Sequence, residues 1–268
     1  LFGAVRAEVD ITEHLTAYAA FGANDSRAKY FNGGFPSIVN VNGNTTQTPV
    51  VENGYYSAWT GEVGVRGLVD TGPIGHEFVL SATTYQQEQG SASATGTAFA
   101  SNIYTPTFIA RPNLADPAVT KTSAGTLSSL VLADTLTAAA KRIQLTVGGR
   151  LQQVKAQNFN PVSGLQTSSY DQSAFSPSVA LVFKPWQNVS VYGNFIQGLQ
   201  QGAIVGTAYA NAGQTLPPYK STQFEVGVKV DWGKLTTTVS AFQISQPSAV
   251  VDTATNTLGV NGEQRNRG

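Results

Sequence analysis

The stretch that decides the fold is Gln-Phe-Glu-Val-Gly-Val-Lys-Val-Asp-Trp at residues 223–232. Apolar and polar side chains alternate through it, which is the pattern of an extended strand with two different faces. One face carries Phe224, Val226, Val228, Val230 and Trp232, and the other carries Gln223, Glu225, Gly227, Lys229 and Asp231. The stretch therefore predicts a β-strand that separates an apolar environment from a polar one.

The same alternation recurs along the chain, most clearly at 5–10, 59–69 and 143–152. Further strands are predicted at 15–30, 76–90, 126–138, 174–184, 189–199 and 235–246, and one more begins near 262. Residues 133–142 have helical propensity. Because they lie between two alternating segments, we predict a strand and a turn there instead.

The connections between these strands alternate between two lengths. Short ones are predicted at 11–14, 70–75, 139–142, 185–188 and 231–234, and long ones at 31–55, 91–125, 156–173, 200–219 and 247–261. Transmembrane barrels have this layout, with short periplasmic turns and long extracellular loops. We therefore predict an all-β fold, an antiparallel transmembrane β-barrel fragment of about 11 strands. Trp186 and Trp232 fall at short turns, which indicates an aromatic girdle.

The composition agrees with this class and excludes others. Charged residues make up 12% of the chain, against roughly 25% in soluble domains. No apolar run approaches the ~20 residues of a membrane helix, and a net charge of zero gives no electrostatic case for nucleic acid. The absence of Cys excludes disulfides and thiolate metal sites, and the absence of Met and of a signal peptide suggests an internal piece of an exported precursor.

Several motifs in the second half of the chain resemble TonB-dependent siderophore receptors. The segment Ser-Pro-Ser-Val-Ala-Leu-Val-Phe-Lys-Pro at 176–185, followed by Val-Ser-Val-Tyr-Gly at 189–193, resembles a hairpin of that family. Similar matches, in the family's order, are found at 133–136, 145–150, 217–229, 235–244 and 261–268. Leu151 stands where the family usually has Tyr. In the first 125 residues the likeness is limited to the general pattern of strands and turns, without these motifs.

The resemblance implies a function for the intact protein. It would be an outer-membrane importer of ferric siderophores in a Gram-negative bacterium, with a barrel of about 22 strands and a plugged lumen. Residues 1–268 would be a partial barrel domain, without the plug domain and the C-terminal strands. The implied partners are the ferric siderophore, outer-membrane lipid and, through the plug, the TonB complex; no resident cofactor and no nucleic acid are expected. An open half-barrel exposes two strand edges, so we expect 1–268 alone to be unstable in a membrane.

No constellation of catalytic residues is found, and no metal ligands are predicted. His14 lies in a predicted turn and His76 opens a strand, and neither has the spacing of a catalytic triad or metal site. The glycine-rich segment 61–67 has the wrong spacing for a dinucleotide loop and is predicted to be strand. The chain is therefore not predicted to be an enzyme.

Two groups of residues are candidates for contact with substrate. Charges on polar strand faces would line the lumen, where they pair with one another or with the plug, or alternatively form part of a substrate path: Glu62, Arg66, Arg150, Glu225 and Lys229. In siderophore receptors, aromatic and Arg side chains at the extracellular mouth hold the bulky ligand. By that resemblance the ligand-binding candidates are Tyr30, Phe31, Phe35, Tyr55, Tyr56, Tyr85, Tyr104, Arg111, Tyr170 and Tyr209.

Three alternatives remain open from the sequence. A passive porin would have no plug domain upstream in its gene. An adhesin or soluble sandwich would purify without detergent. A third alternative keeps the family but changes the cargo to cobalamin or a glycan.

Overall fold

The computed structural model describes residues 1–206 and 208–268, and these fold into one large antiparallel sheet and one small one. The large sheet contains, in spatial order, β1 (Phe2–Thr12), β2 (Leu15–Asn32), β5 (Val50–Thr71), β6 (Ile74–Thr95), β8 (Thr120–Ala138), β9 (Ile143–Phe159), β10 (Gln166–Trp186), β11 (Val189–Gln200), β12 (Tyr219–Asp231), β13 (Thr236–Asp252) and β14 (Thr257–Arg267). The small sheet contains β3 (Ser37–Ile38), β4 (Asn44–Gln47) and β7 (Phe99–Asn102). No helix in the described residues is long and apolar enough to cross a membrane.

The strand register joins the apolar positions into one continuous surface. Directly paired residues project to the same side of a sheet. Leu130, Leu151 and Phe175 are paired in this way across β8, β9 and β10. We call this apolar side the lipid face and the opposite, polar side the lumen face. Val226 on the lipid face is 63% exposed, as expected of a surface that contacts lipid rather than a protein core.

The predicted faces of the four clearest strands agree with the pairing, and the two tryptophans also lie where an interfacial girdle requires. Trp186 is the last residue of β10 and Trp232 directly follows β12, and both belong to the exposed lipid face next to short turns. The segment around 133–142 is strand β8 followed by a turn, as predicted.

The predicted long connections were too long, most clearly at two places. The predicted loop 247–261 is a turn of residues 253–256 between β13 and β14, and the last strand begins at Thr257 instead of near 262. The predicted loop 156–173 is reduced to 160–165 between β9 and β10. The remaining long connections also shrink, because strands continue beyond the membrane. There both faces contact water, so the apolar alternation ends although the hydrogen-bonded ladder does not.

The glycine-rich segment 61–67 lies within β5, and its glycines make room for aromatic rings of neighbouring strands. A Cβ atom at Gly67 would lie 2.3 Å from Cζ of Phe78 on the lipid face, and one at Gly64 would lie 2.6 Å from Cζ of Tyr18 on the lumen face. A ring packed over a glycine of the adjacent strand shields its backbone. The glycines thus serve the packing of the barrel wall.

Candidate ligand-binding pocket and lumen charges

A pocket of about 410 Å³ lies on the lumen face, towards the ends of the strands that carry the long loops. Its volume falls within the range of about 300–1,000 Å³ that is usual for small-molecule sites. Strands β6, β8 and β9 form its wall, and the end of β11 forms its rim. The residues that line it include Tyr85, Gln87, Leu127, Gln152, Val154, Asn158, Leu199 and Gln201.

Two tyrosines and a glutamine form a hydrogen-bonded cluster at this pocket. Tyr85 and Gln87 are two residues apart on β6 and therefore project to the same face. The hydroxyl oxygens of Tyr56 and Tyr85 are 2.5 Å apart, so one hydroxyl donates to the other. The second proton is donated to Oε1 of Gln87, which lies 3.2 Å from the Tyr56 oxygen and 2.9 Å from the Tyr85 oxygen. These bonds hold the two rings side by side on the lumen face, and the Gln87 amide group keeps its N–H donors for another partner.

The connection between β11 and β12, which we call the loop of residues 201–218 and which is described for 201–206 and 208–218, covers the lumen side of β9 and β10. Tyr170 lies beneath it with 1% of its surface exposed, and its hydroxyl accepts a hydrogen bond of 3.0 Å from the Gly202 backbone N–H. Val205 and Leu216 of the loop are buried as well. Burial raises the pKa of the Tyr170 hydroxyl, which therefore stays neutral.

The far side of this loop is tied to the turn between β13 and β14. The Asn211 side chain donates to the Leu258 carbonyl oxygen at 2.9 Å and accepts from the Leu258 N–H at 3.0 Å. The Ala210 N–H also donates to the Asn256 carbonyl oxygen at 2.8 Å. The loop is thus fastened at two places and forms a fixed rim for the pocket.

A second group of lumen-facing residues, which we call the charged belt, consists of Arg6, Glu8, Glu62 and Arg66 on β1 and β5. Arg6 and Arg66 both bind the Glu8 carboxylate, at 2.7 and 2.6 Å. Tyr18 of β2 donates to Glu62 at 3.3 Å, and the Arg6 guanidinium lies 5.0 Å from the centroid of the Tyr18 ring. The belt therefore satisfies its charges within the wall.

The other predicted lumen charges behave differently. Glu225 accepts hydrogen bonds from Tyr192 at 2.8 Å and from Gln223 at 3.2 Å. Neither Arg150 nor Lys229 has an ion-pair partner within residues 1–206 and 208–268. Arg150 is exposed on the lumen face, directly opposite Ser176 of β10.

The ten ligand-binding candidates do not converge on one site. Tyr56 and Tyr85 meet at the pocket, and Tyr30 lies beyond them on the lumen face, where its hydroxyl donates to Glu52. Tyr170 is covered by the loop of residues 201–218, and Tyr209 lies within that loop.

The remaining candidates lie away from the lumen. Arg111 stacks over Phe31 at 4.5 Å on the lipid-face side of β2, and Tyr55 donates to Glu88 on the same side at 2.7 Å. Tyr104 packs against Gly43 at the small sheet, and Phe35 is an exposed loop residue. The sequence singled these residues out by residue type and loop position. Residue type does not determine whether a side chain projects to the lumen face or to the lipid face.

The structure also identifies pocket residues that the sequence reasoning missed, namely the amides of Gln87, Gln152 and Asn158. Period-2 spacing was the available signal. Gln87 follows Tyr85 by two residues, and Gln152 follows Arg150 by two residues on a strand whose faces were already predicted. Amide side chains carry neither a charge nor an aromatic ring, so residue type alone did not mark them as ligand contacts.

The described residues hold no group of three or more His, Asp or Glu side chains that could bind a metal ion. His76 pairs instead with Asp134 on the lipid face, with Nδ1 to Oδ2 at 2.7 Å, and its Nε2 contacts the Thr71 hydroxyl at 2.7 Å. A larger concavity of about 830 Å³ on the same face lies over small residues such as Ala7, Ala19 and Gly61. In a membrane, acyl chains fill such a surface.

Comparison with known proteins identifies the family. Residues 6–268 match the model described as TonB dependent receptor-like, beta-barrel. The chain is 34% identical over 281 residues to the ferrichrome receptor FcuA of Yersinia enterocolitica, covering 100% of this chain and 36% of that relative. It therefore spans about a third of the length of that curated relative.

Solved structures agree with the family match. BauA, the ferric preacinetobactin receptor from Acinetobacter baumannii, matches with a TM-score of 0.84 and 33% identity, over 99% of this chain and 41% of that chain. The siderophore receptor PiuA from the same organism, at 18% identity and a TM-score of 0.75 over 98% of this chain and 42% of that chain, shows the same fold. The chain belongs to the TonB-dependent receptor family, whose members are outer-membrane receptors and transporters of Gram-negative bacteria rather than enzymes.

Proposed function

We propose that the intact protein imports a ferric siderophore across the outer membrane, and that this chain supplies barrel wall and part of the binding mouth. The observation that carries the proposal is the lumen pocket with its Tyr56, Tyr85 and Gln87 cluster. FcuA, a ferrichrome receptor, and BauA, a ferric preacinetobactin receptor, are similar over nearly the whole of this chain and support the same class of cargo.

The chemistry of the pocket suits such a cargo. A ferric siderophore exposes oxygen atoms that accept hydrogen bonds and a flat or ringed surface that packs against aromatic side chains. The amide groups of Gln87 and Gln152 are donors on a rigid wall, and the rings of Tyr56 and Tyr85 supply aromatic surface beside them. Iron would arrive within the substrate, so no resident cofactor is needed. Energy would come from the TonB complex acting through a plug, and the lipid face would contact outer-membrane lipid.

The test is growth under iron limitation of a strain that lacks the complete gene, supplied with a panel of ferric siderophores. We expect at least one siderophore to support growth only when the intact gene and TonB are both present. Normal growth of the deletion strain on every siderophore would refute the proposal, and uptake that persists without TonB would indicate a passive channel.

Adjacent tyrosines on β5 provide matched variants for the role of the pocket. We expect Tyr56→Ala in the full-length receptor to weaken siderophore binding about tenfold, because alanine removes both the ring and the hydroxyl. Tyr55→Ala is the control, since Tyr55 projects to the lipid-face side of the same strand. Equal losses in the two variants, at equal amounts of folded receptor, would argue against a lumen binding site.

A further inference from the structure

A second pocket on the lumen face, of about 550 Å³, lies nearer the extracellular mouth than the pocket described above. Strands β2, β5 and β6 form its wall, and Pro161 of the turn between β9 and β10 also lines it. Tyr30, Glu52 and Ser93 are paired directly across the three strands, so they project to the same side. Ser91 lies two residues from Ser93 and shares that face.

Glu52 is the one charged residue among the described residues that line this pocket. Its carboxylate accepts a hydrogen bond from the Tyr30 hydroxyl, and it has no ion-pair partner in the described part of the chain. The nearby extracellular connections, residues 33–49 and 160–165, contain no charged residue. The negative charge of Glu52 is therefore not balanced by this part of the wall.

The cations at the same height lie on the opposite side of the wall, where acidic groups already bind them. The Lys29 Nζ is 2.6 Å from the Asp116 carboxylate, and the Lys121 Nζ is 3.4 Å from the Glu88 carboxylate. The strand pairing places both lysines on the lipid-face side. A strand separates these cations from the pocket, so they do not neutralise its carboxylate.

Resting on the siderophore function proposed above, we propose that this pocket binds a cationic amine, so that the receptor prefers ferric complexes that carry a free ammonium group on one arm. An ammonium group has three N–H donors and no acceptor. The Glu52 carboxylate and the exposed hydroxyls of Ser91 and Ser93 are acceptors for them. Tyr30 is 52% exposed, and its ring offers an aromatic face to the same cation.

The position of Glu52 relative to the tyrosine cluster suits an arm rather than the iron centre. Glu52 and Tyr56 lie four residues apart on the same face of β5, which corresponds to about 13 Å along a strand. An arm that extends towards the mouth from an iron complex held at Tyr56 therefore leads to the Glu52 carboxylate.

The test uses two probes with the same iron chelate. Ferrioxamine B is a linear ferric trihydroxamate with a free primary ammonium group, and N-acetylation converts that group into a neutral amide. We expect the purified full-length receptor to bind ferrioxamine B about tenfold more tightly than its acetylated form. Glu52→Gln should lower the affinity for ferrioxamine B to that for the acetylated complex, whose own affinity should not change.

Glu88→Gln is the control, because it removes an equal charge from the lipid-face side of the neighbouring strand. Loss of the preference in both glutamine variants would overturn the inference, since overall charge would then be the cause. A lower unfolding temperature of Glu52→Gln with an unchanged preference would also overturn it, because Glu52 would then pair with another part of the receptor.

The unmodified receptor gives a test that needs no variant. Equal affinity for the two probes, or binding of neither, would overturn the amine site and leave the siderophore function standing. Normal growth of the deletion strain on every siderophore would instead remove the function on which the inference rests.

Discussion

The lumen face and the lipid face of the sheet are built from the same strands but differ in how many polar side chains they carry and in whether those side chains are paired. On the lipid face near the periplasmic turns, polar side chains are few and paired, as with His76 and Asp134. On the lumen face they are common, and some have no partner in the described part of the chain, as with Arg150. An unpaired polar group is costly in lipid and inexpensive in a hydrated lumen. The difference shows that the lumen face is free to carry groups for ligands.

The largest expected effect concerns the lumen side. A Cβ atom at Gly202 would lie 2.3 Å from the Pro217 carbonyl oxygen and 2.4 Å from that of Leu216. Because these are backbone atoms, Gly202→Ala must displace the loop of residues 201–218, at a cost of about 1–3 kcal/mol. We expect proteolysis of this loop in the full-length receptor to become roughly ten- to hundredfold faster.

Gly206→Ala in the same loop is the control for that variant, since a Cβ atom there has nothing within 4 Å. Unchanged proteolysis of Gly202→Ala would mean that the rim of the pocket is not fixed by this close approach.

The next effect tests the lipid face. His76→Ala removes the partner of Asp134, whose other carboxylate oxygen is already buried without a hydrogen bond in the structure described. We expect a loss of about 1–2 kcal/mol in stability, measured as a lower temperature of unfolding of the receptor in detergent. Adding Asp134→Leu should restore the stability, because no unpaired polar group then faces the lipid.

His14→Ala in the turn between β1 and β2 is the comparison and should leave the unfolding temperature unchanged. An equal loss in both histidine variants would show that pairing on the lipid face is not the cause.

A smaller effect is expected from the charged belt. Glu8→Gln leaves both Arg6 and Arg66 without their carboxylate partner. Because these side chains are 36–51% exposed, solvent screens the pairs, and we expect a loss of stability smaller than that of His76→Ala. The loss, measured by thermal unfolding, should diminish at high salt. Siderophore affinity should not change, and a tenfold loss of affinity would place the belt in the substrate path.

The smallest effect depends on pH and concerns the loop of residues 103–119, between β7 and β8. The Lys29 ammonium, 2.6 Å away, and the Asn53 amide lower the pKa of the Asp116 carboxyl below its ordinary value. A lowered pKa means that this contact stabilises the loop above the ordinary pKa and is lost as the pH falls through the lowered one. Hydrogen exchange of the loop should therefore be constant down to about pH 5 and accelerate below about pH 4.

Asp116→Asn provides the control for this titration, because its side chain cannot ionise. The exchange of its loop should lack the acid-dependent step. An identical step in that variant would assign the titration to another group.

Much of the fold could be predicted because the membrane imposes a period of two on the strands. In β12 this period alone placed Phe224 and Val226 on one face and Glu225 on the other, and the pairing with β11 and β13 agrees. The prediction failed at the extracellular ends, for example at Thr257, where water on both sides removes the contrast between faces. The site was predictable only in part, since Tyr55 and Tyr56 are equivalent by residue type and differ in the face they occupy.

The sequence by itself determined the two faces of the wall, the girdle at Trp186 and Trp232, and the family, because these depend on local periodicity and on motifs. The tertiary structure decided which side chains meet. Strand register brought Tyr56 to Tyr85 across 29 residues of sequence, and the folded loop buried Tyr170. These contacts join residues distant in the chain, and no local pattern of side chains encodes which partner the register will bring opposite.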